Sequence, residues 1–275
     1  MDLNNSPLGK KTDYATSSEY NPRLLFPIAR SFKRDELGID SQKLPFYGVD
    51  IWNHYEVSWL NPQGLPRVAI AVIEVPAMSE FIIESKTLKL YFNSLNNHRF
   101  ADTKALHGTI VNDLSGAVGM TVVVKILPLD NNEITIHKVT GICVDNIDVA
   151  INEYTVNPGL LKSDKEIQLT ETIYSHLLRS NCLITNQPDW ATIIVSYTGK
   201  QIDHESFLKY IVSFRNHNEF SEQCVERVFM HLSKQGNFTE LTVTGRFTRR
   251  GGIDINSIRS TNKDVARENL RLMRQ

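Results

Sequence analysis

The feature that most constrains the fold is an internal repeat. The segment ESKTLKLYFNSLNNHRF (84–100) carries Leu88, Tyr91, Phe92 and Leu95 at the i, i+3, i+4, i+7 spacing of an amphipathic helix. The segment DHESFLKYIVSFRNHNEF (203–220) carries Phe207, Tyr210, Ile211 and Phe214 at the same spacing, and each pair lies 119 residues apart. At that offset Ser94 matches Ser213 and Asn97-His98 matches Asn216-His217. A chain that writes one helix twice is built from two copies of one unit.

The flanks extend the duplication. Before each helix stands a β-branched stretch, VAIAVIEV (68–75) and ATIIVSY (191–197), preceded by a shorter strand candidate, YEVSWL (55–60) and NCLIT (181–185). After each helix comes a second helical pattern, 101–115 and 219–233. Two strands follow it in each half: TVVVKILPL (121–129) with EITIHKVTGICV (133–144), and ELTVTGRFT (240–248) with GGIDIN (251–256). Each half therefore reads β-β-α-α-β-β, an α+β architecture with an antiparallel sheet and two helices on one face. Residues 1–50 read as an N-terminal arm, 51–150 as the first module, and 151–275 as a linker and second module, with some helix near 169–179.

A hydrophobic content of 41% over 275 residues supports a sizeable core. The longest apolar run, VAIAVIEVPAM (68–78), is interrupted by Glu74 and falls short of the roughly 20 residues that span a bilayer. The N-terminal residues lack the apolar stretch of a secretory signal, so a cytoplasmic location is expected. Three cysteines cannot all pair, which suits a reducing compartment. A net charge of −1 lacks the footprint of a nucleic-acid binder, so no direct nucleic-acid partner and no membrane partner are expected.

The two copies differ in their chemistry. The second carries RSNCLITNQPDW (179–190), where Cys182 sits among polar residues near an expected strand edge and Asp189 follows a proline. A buried, inert thiol is the ordinary reading of a cysteine, and it fits Cys143 and Cys224 among their apolar neighbours. Cys182 in a solvent-near setting could instead be a nucleophile, with Asp189 accepting or returning a proton, or merely shaping the turn. Glu222, in NEFSEQCVERVF (218–229), either complements a helix dipole or accepts two parallel hydrogen bonds from the edge of a guanine-like ring. GRFTRRGG (245–252) is either a solvated basic hairpin or a phosphate cradle, to which Lys86 and the free N–H groups of the first-half helix could add. No GxGxxG follows a strand, and no CxxC or HExxH occurs, so neither a Rossmann site nor a metal site is indicated.

Four stretches, ESKTLKLYF, NCLITNQPDW, FRNHNEFSEQCVERVF and GRFTRRGGIDIN, together resemble the landmarks of the NADPH-dependent 7-cyano-7-deazaguanine reductases of queuosine biosynthesis, in the expected order and over nearly the whole chain. The resemblance is to the family's longer, two-module form. It implies tandem tunnelling-fold (T-fold) modules, a homodimer, a 7-deazaguanine substrate and NADPH as cofactor. By position it implies Cys182 as the nucleophile that forms a thioimide with the nitrile and Asp189 as proton donor. Ile83, Glu84, Ser85, Ser221 and Glu222 then fall at substrate positions, and Ser85, Lys86, Arg250 and Gly251 at cofactor positions. One residue departs from the pattern: the family's HEQC reads SEQC here, so Ser221 stands where an imidazole would carry a proton. Binding through Glu222 should survive that change, and the reduction rate should be the quantity affected. Two further readings are a purine-binding T-fold protein with impaired turnover and a GTP cyclohydrolase-like hydrolase, which would need a metal.

Overall fold

The computed structural model describes residues 19–130 and 135–275, apart from the side chain of Lys165. The first repeat unit comprises β2 (Tyr47–Leu60), β3 (Pro66–Pro76), β4 (Phe81–Ile83), α2 (Ser85–Leu95), α3 (Thr103–Val118) and β5 (Val123–Leu127). The second comprises β7 (Ser163–Asn181), β8 (Pro188–Ile202), α4 (His204–Ser213), α5 (Ser221–Gln235), β9 (Glu240–Phe247) and β10 (Ile253–Ser260). Two short elements, β1 (Pro27–Ala29) and α1 (Ser31–Leu37), precede the first unit, and β6 (Ile142–Cys143) lies between the units.

The repeated helices begin 119 residues apart because both starts are capped in the same way. Glu84 accepts hydrogen bonds from the N–H groups of Lys86 and Thr87, and Asp203 accepts one from Ser206. Their apolar faces are buried: Leu88, Tyr91, Phe92 and Leu95 against Trp52, Ala71 and Ile73, and Phe207, Tyr210, Ile211 and Phe214 against Ile193, Val195 and Val243. Each such side chain contributes roughly 1.5–3 kcal/mol on burial, so packing rather than intrinsic propensity holds these helices. Val49 and Ile51 of β2 alternate to the other face of the sheet, where they meet Ile258 and Val265.

The repeat reaches further back than the helical pattern. Asn21-Pro22-Arg23-Leu24-Leu25 and Asn157-Pro158-Gly159-Leu160-Leu161 each form an asparagine-capped 3-10 turn. The N–H of Asn21 donates to Ser94 Oγ (3.1 Å), and that of Asn157 to Ser213 Oγ (3.3 Å). Phe26 N–H donates to Thr87 Oγ1, and Lys162 N–H to Ser206 Oγ. The residues before each module are thus docked on its first helix. In the first half this docking leads into β1, which pairs with β4 and brings Pro27 opposite Ile83.

One eight-stranded sheet runs through both units in the order β5-β3-β2-β10-β9-β8-β7-β6. The seam is the antiparallel pair β2–β10, from Tyr47 opposite Ser260 to His54 opposite Ile253. Gly48 makes the seam close-packed, since a Cβ there would lie 1.9 Å from the Ile258 carbonyl oxygen. The expected antiparallel α+β class, with helices on one face, is what the chain forms.

Three local expectations are corrected. Residues 169–179 are strand, not helix: a bulge between Ser175 and Leu178 shifts the inward positions from Ile173 and Ser175 to Leu178 and Ser180, which breaks the period-2 signal. The stretch 181–185 is a turn after β7 rather than a strand. Residues 133–144 do not form a hairpin with β5; 133 and 134 lie outside the described residues, Ile136 bridges to Arg271, and β6 runs parallel to β7. Among the described residues, no helix is long and apolar enough to cross a membrane.

Candidate active site

Cys182 is the first residue beyond β7, and the backbone around it is held from three sides. Asn181 N–H donates to the His217 carbonyl and its own carbonyl accepts from Glu219 N–H, as Leu60 does with His98 and Phe100 in the first half. Asn61 is therefore the first-half counterpart of Cys182, so the fold alone does not call for a thiol. Cys182 N–H donates to the Gln187 carbonyl (2.8 Å), and Asn186, in the left-handed region at φ 54°, returns its N–H to the Cys182 carbonyl (3.0 Å). Asn218 Nδ2 secures the loop through Asn186 Oδ1. Contrary to a solvent-near thiol, Cys182 is 9% exposed. Loop polarity misled because the loop's tip, Thr185 to Pro188, is exposed while Cys182 at its base is buried. Cys224 is wholly buried as expected, whereas Cys143 is only half-buried.

Two adjoining clefts meet at Cys182. The first, of about 540 Å3, has Cys182, Asp189, Ser221 and Glu222 on its polar side and Ile83, Phe220, Phe247, Ile253 and Ile255 as apolar walls. The second, of about 720 Å3, is lined by Glu84, Ser85, Lys86, Lys89, Cys182, Thr185, Gln187, Arg250 and Gly251. Ser85, Cys182 and Arg250 belong to both. First-half and second-half residues are therefore brought together within a single chain. Of the residues matched to substrate positions, Glu84 faces the second cleft rather than the first.

Charge in the clefts is organised by Arg250. Its Nη1 donates to Asp189 Oδ1 (2.5 Å) and its Nη2 donates to Gln187 Oε1 (2.9 Å), and Arg250 lines both clefts with Cys182. Burial raises the Asp189 carboxyl above its ordinary value, and the arginine beside it opposes the rise only in part. Asp189 thus gives up a proton less readily than an exposed aspartate does.

Glu222 stands in the first turn of α5 and is 2% exposed. Burial, with the charge of Asp50 next, pushes its carboxyl up to about 7. Ser221 Oγ donates to Oε2 (3.1 Å), while Oε1 is buried with no protein partner among the described residues. An unpaired buried carboxylate oxygen is costly unless a ligand satisfies it. Beneath Glu222 lies a buried ionic cluster that sequence reading did not anticipate. Arg30 bonds Asp50 (2.6 Å), Arg34 bonds Glu226 (2.7 Å), and Arg259 reaches both Asp50 and Glu226 (2.8 Å each). These residues come from four segments of the chain, with only Arg30 and Arg34 sharing one, on α1 and its N-cap. His217, four residues before Ser221 and in extended backbone outside α5, is paired with Glu219 (3.0 Å) and does not line either cleft.

The second cleft fits a polyanionic cofactor. Lys86, Lys89 and Arg250 bring three cations to it, and Gly251 lies at φ 57°, where a Cβ would meet Lys89 Cδ at 2.9 Å. The expected free helix N–H donors are not there, because Glu84 already occupies those of Lys86 and Thr87. Phosphate binding at this end rests on side chains instead.

The chain is similar to known proteins over nearly its whole length. Residues 16–126 match the family model described as "Nitrile reductase, 7-cyano-7-deazaguanine-reductase N-term", and 188–266 match "QueF-like protein". The NADPH-dependent 7-cyano-7-deazaguanine reductase of Legionella pneumophila (strain Corby) is 50% identical over 99% of this chain and 95% of its own length. That of Azoarcus sp. (strain BH72) is 49% identical over 98% and 95%. A crystal structure of the archaeosine synthase QueF-Like in the apo form matches 36% of this chain and 95% of its own at 18% identity, with a TM-score of 0.30, and no argument rests on it.

Proposed function

The chain belongs to the NADPH-dependent 7-cyano-7-deazaguanine reductase family, and we propose that it reduces the nitrile of 7-cyano-7-deazaguanine to the amine through a covalent adduct on Cys182. It is an NADPH-dependent oxidoreductase acting on a nitrile. The observation that carries the finer reading is the unpaired Oε1 of Glu222 in the same cleft as Cys182. Ionised Glu222 accepts two adjacent N–H groups from the guanine-like edge, with Ser221 supporting the other oxygen. The flat apolar walls, Phe220 and Phe247 among them, take the ring faces and orient the nitrile toward the thiol.

A nitrile carbon accepts hydride slowly, and thiol addition makes it a better acceptor. As the Cys182 sulfur bonds to that carbon, the thiol proton passes to the Asp189 carboxylate and a proton reaches the nitrile nitrogen, leaving a neutral thioimide. When bound, NADPH supplies hydride, and the four-electron reduction from nitrile to amine needs two such molecules in turn. After the first transfer the C–S bond breaks, Cys182 leaves as thiolate and an imine remains. Asp189 relays the thiol proton to the nitrogen in the first step and, reprotonated from solvent before each hydride transfer, supplies the proton that the nitrogen takes up then, consistent with its raised proton affinity. The buried setting of Cys182 keeps water from the imine, whose hydrolysis would waste it. Lys86 and Arg250 hold the cofactor's phosphates, with Ser85 and Gly251 beside them.

In this reading residues 51–150 and 151–275 act as two modules of one site, with the arm of residues 1–50 positioning Ile83. The product, 7-aminomethyl-7-deazaguanine, serves queuosine synthesis for tRNA without the enzyme itself binding nucleic acid. A homodimer is proposed because β5 ends the sheet with no further strand paired to it among the described residues, leaving an edge that a second copy can pair with. The test is incubation of the protein with the nitrile, followed by intact mass measurement. A covalent adduct is expected in the parent and not in Cys182→Ala. An adduct that persists in that variant, or none in the parent, overturns the mechanism.

A further inference from the structure

Away from both clefts, at the β6 end of the sheet, Cys143, Asp145 and His176 bring one ligand atom each to within 4.8 Å of one another. We propose that they bind one zinc-class divalent cation that clips β6 to β7. None of the three lines either cleft, so the site stands independently of the catalytic reading.

The three residues converge by tertiary means. Cys143 pairs with Tyr174 in the parallel β6–β7 ladder, and Asp145 follows in the turn after β6. His176 sits inside the bulge of β7 between Ser175 and Leu178, where the strand's side-chain alternation changes. Asp145 is already oriented: Oδ1 accepts from Ser175 Oγ (2.6 Å) and Oδ2 from His176 N–H (3.0 Å), and the carboxylate keeps lone pairs for a metal. His176 Nδ1 pairs with Thr192 Oγ1 (2.8 Å), which leaves Nε2 as the coordinating nitrogen and provides the outer hydrogen bond that metal-bound imidazoles make. The Tyr174 ring packs edge-on against the His176 imidazole, with ring centroids 5.2 Å apart, and helps to fix it.

The donor set selects the metal. Thiolate and imidazole beside one carboxylate suit zinc and its neighbours and not magnesium or calcium, which favour oxygen alone. Ligand atoms of tetrahedral zinc lie about 3.5 Å apart, so side-chain rotations of about an ångström close the site. Binding releases the Cys143 proton, and the cation then meets one thiolate and one carboxylate, a neutral site with a fourth position open to water. Structurally, the clip would fasten the long connection between β5 and β7, where β6 contributes only two paired residues.

Cobalt(II) titrated into the full-length, reduced protein provides the readout, through thiolate-to-cobalt absorption and the visible bands of a four-coordinate ion. One equivalent should bind and be displaced by zinc. Cys143→Ser should abolish the thiolate band, and His176→Ala should weaken binding at least about tenfold, with folding checked in both by circular dichroism and by NADPH oxidation with the nitrile. Cys182→Ala should bind as the parent does. No thiolate band at micromolar cobalt, a band that survives Cys143→Ser, or a band lost in Cys182→Ala overturns the proposal.

Discussion

Replacing Glu222 by glutamine should make the free protein more stable and the bound complex much weaker. The carboxyl is pushed from its ordinary 4.5 to about 7, chiefly by burial and then by the charge of Asp50. At about 1.4 kcal/mol for each tenfold change in proton affinity, ionising Glu222 costs the folded state about 3 kcal/mol at pH 8. The folded pKa is raised, so the folded state binds more protons than the unfolded one between these two values. The favourable contribution is complete below pH 4.5 and is lost as the pH rises through 7. Glutamine has no such dependence, although its buried amide forfeits about 1 kcal/mol for imperfect partners. A net gain of about 2 kcal/mol at pH 8 would move the urea midpoint up by about 1 M, with a gap that closes toward pH 4.5. In the same variant, loss of two charge-assisted hydrogen bonds at about 1.5–3 kcal/mol each should weaken nitrile binding at least 100-fold. Urea titrations from pH 4.5 to 8.5, paired with calorimetric binding, measure both. A stability difference that does not change with pH, or a variant less stable than the parent at pH 8, would refute the reasoning.

Two other outcomes follow from the geometry. Gly48→Ala should destabilise the protein by at least about 3 kcal/mol, because the new Cβ meets the Ile258 carbonyl at 1.9 Å in the antiparallel β2–β10 seam that joins the halves. Gly38→Ala, with φ 69° but open space around it, should cost about 1 kcal/mol, and equal losses in thermal denaturation would contradict the seam's role. Ser221→His should raise kcat for NADPH oxidation at least about tenfold with little change in nitrile affinity. An unchanged kcat would mean that no imidazole is needed at this position.

Much of the site was legible in the chain because its residues travel in compact local motifs. The cap Glu84 with Ser85 and Lys86, the Cys182–Asp189 stretch, Ser221-Glu222 and Arg250-Gly251 each lie within a few residues, at element ends that turn and cap signals mark. The NPRLL and NPGLL turns were equally legible. They were missed because their offset, set by a different connection length, is not the 119 of the helices. The burial of Cys182 was hidden for another reason: Asn218, which ties the base of its exposed loop through the Cys182 carbonyl and Asn186, lies beyond the whole of β8 and α4.

Taken alone, the amino-acid sequence determined the duplicated β-β-α-α core, the apolar faces of its helices and the chemistry each copy carries. Periodicity and capping act between residues a few positions apart, so a linear reading contains them. Only the tertiary structure decided that β2 and β10 form the seam, so that Ser85 of one half faces Cys182 of the other. It alone placed Arg30, Asp50, Glu226 and Arg259 under Glu222, and Cys143 and Asp145 beside His176. Those contacts are set by strand register, a bulge and mutual burial across distant segments. Charge and coordination there depend on which groups lose water together, and neighbours in sequence do not specify that.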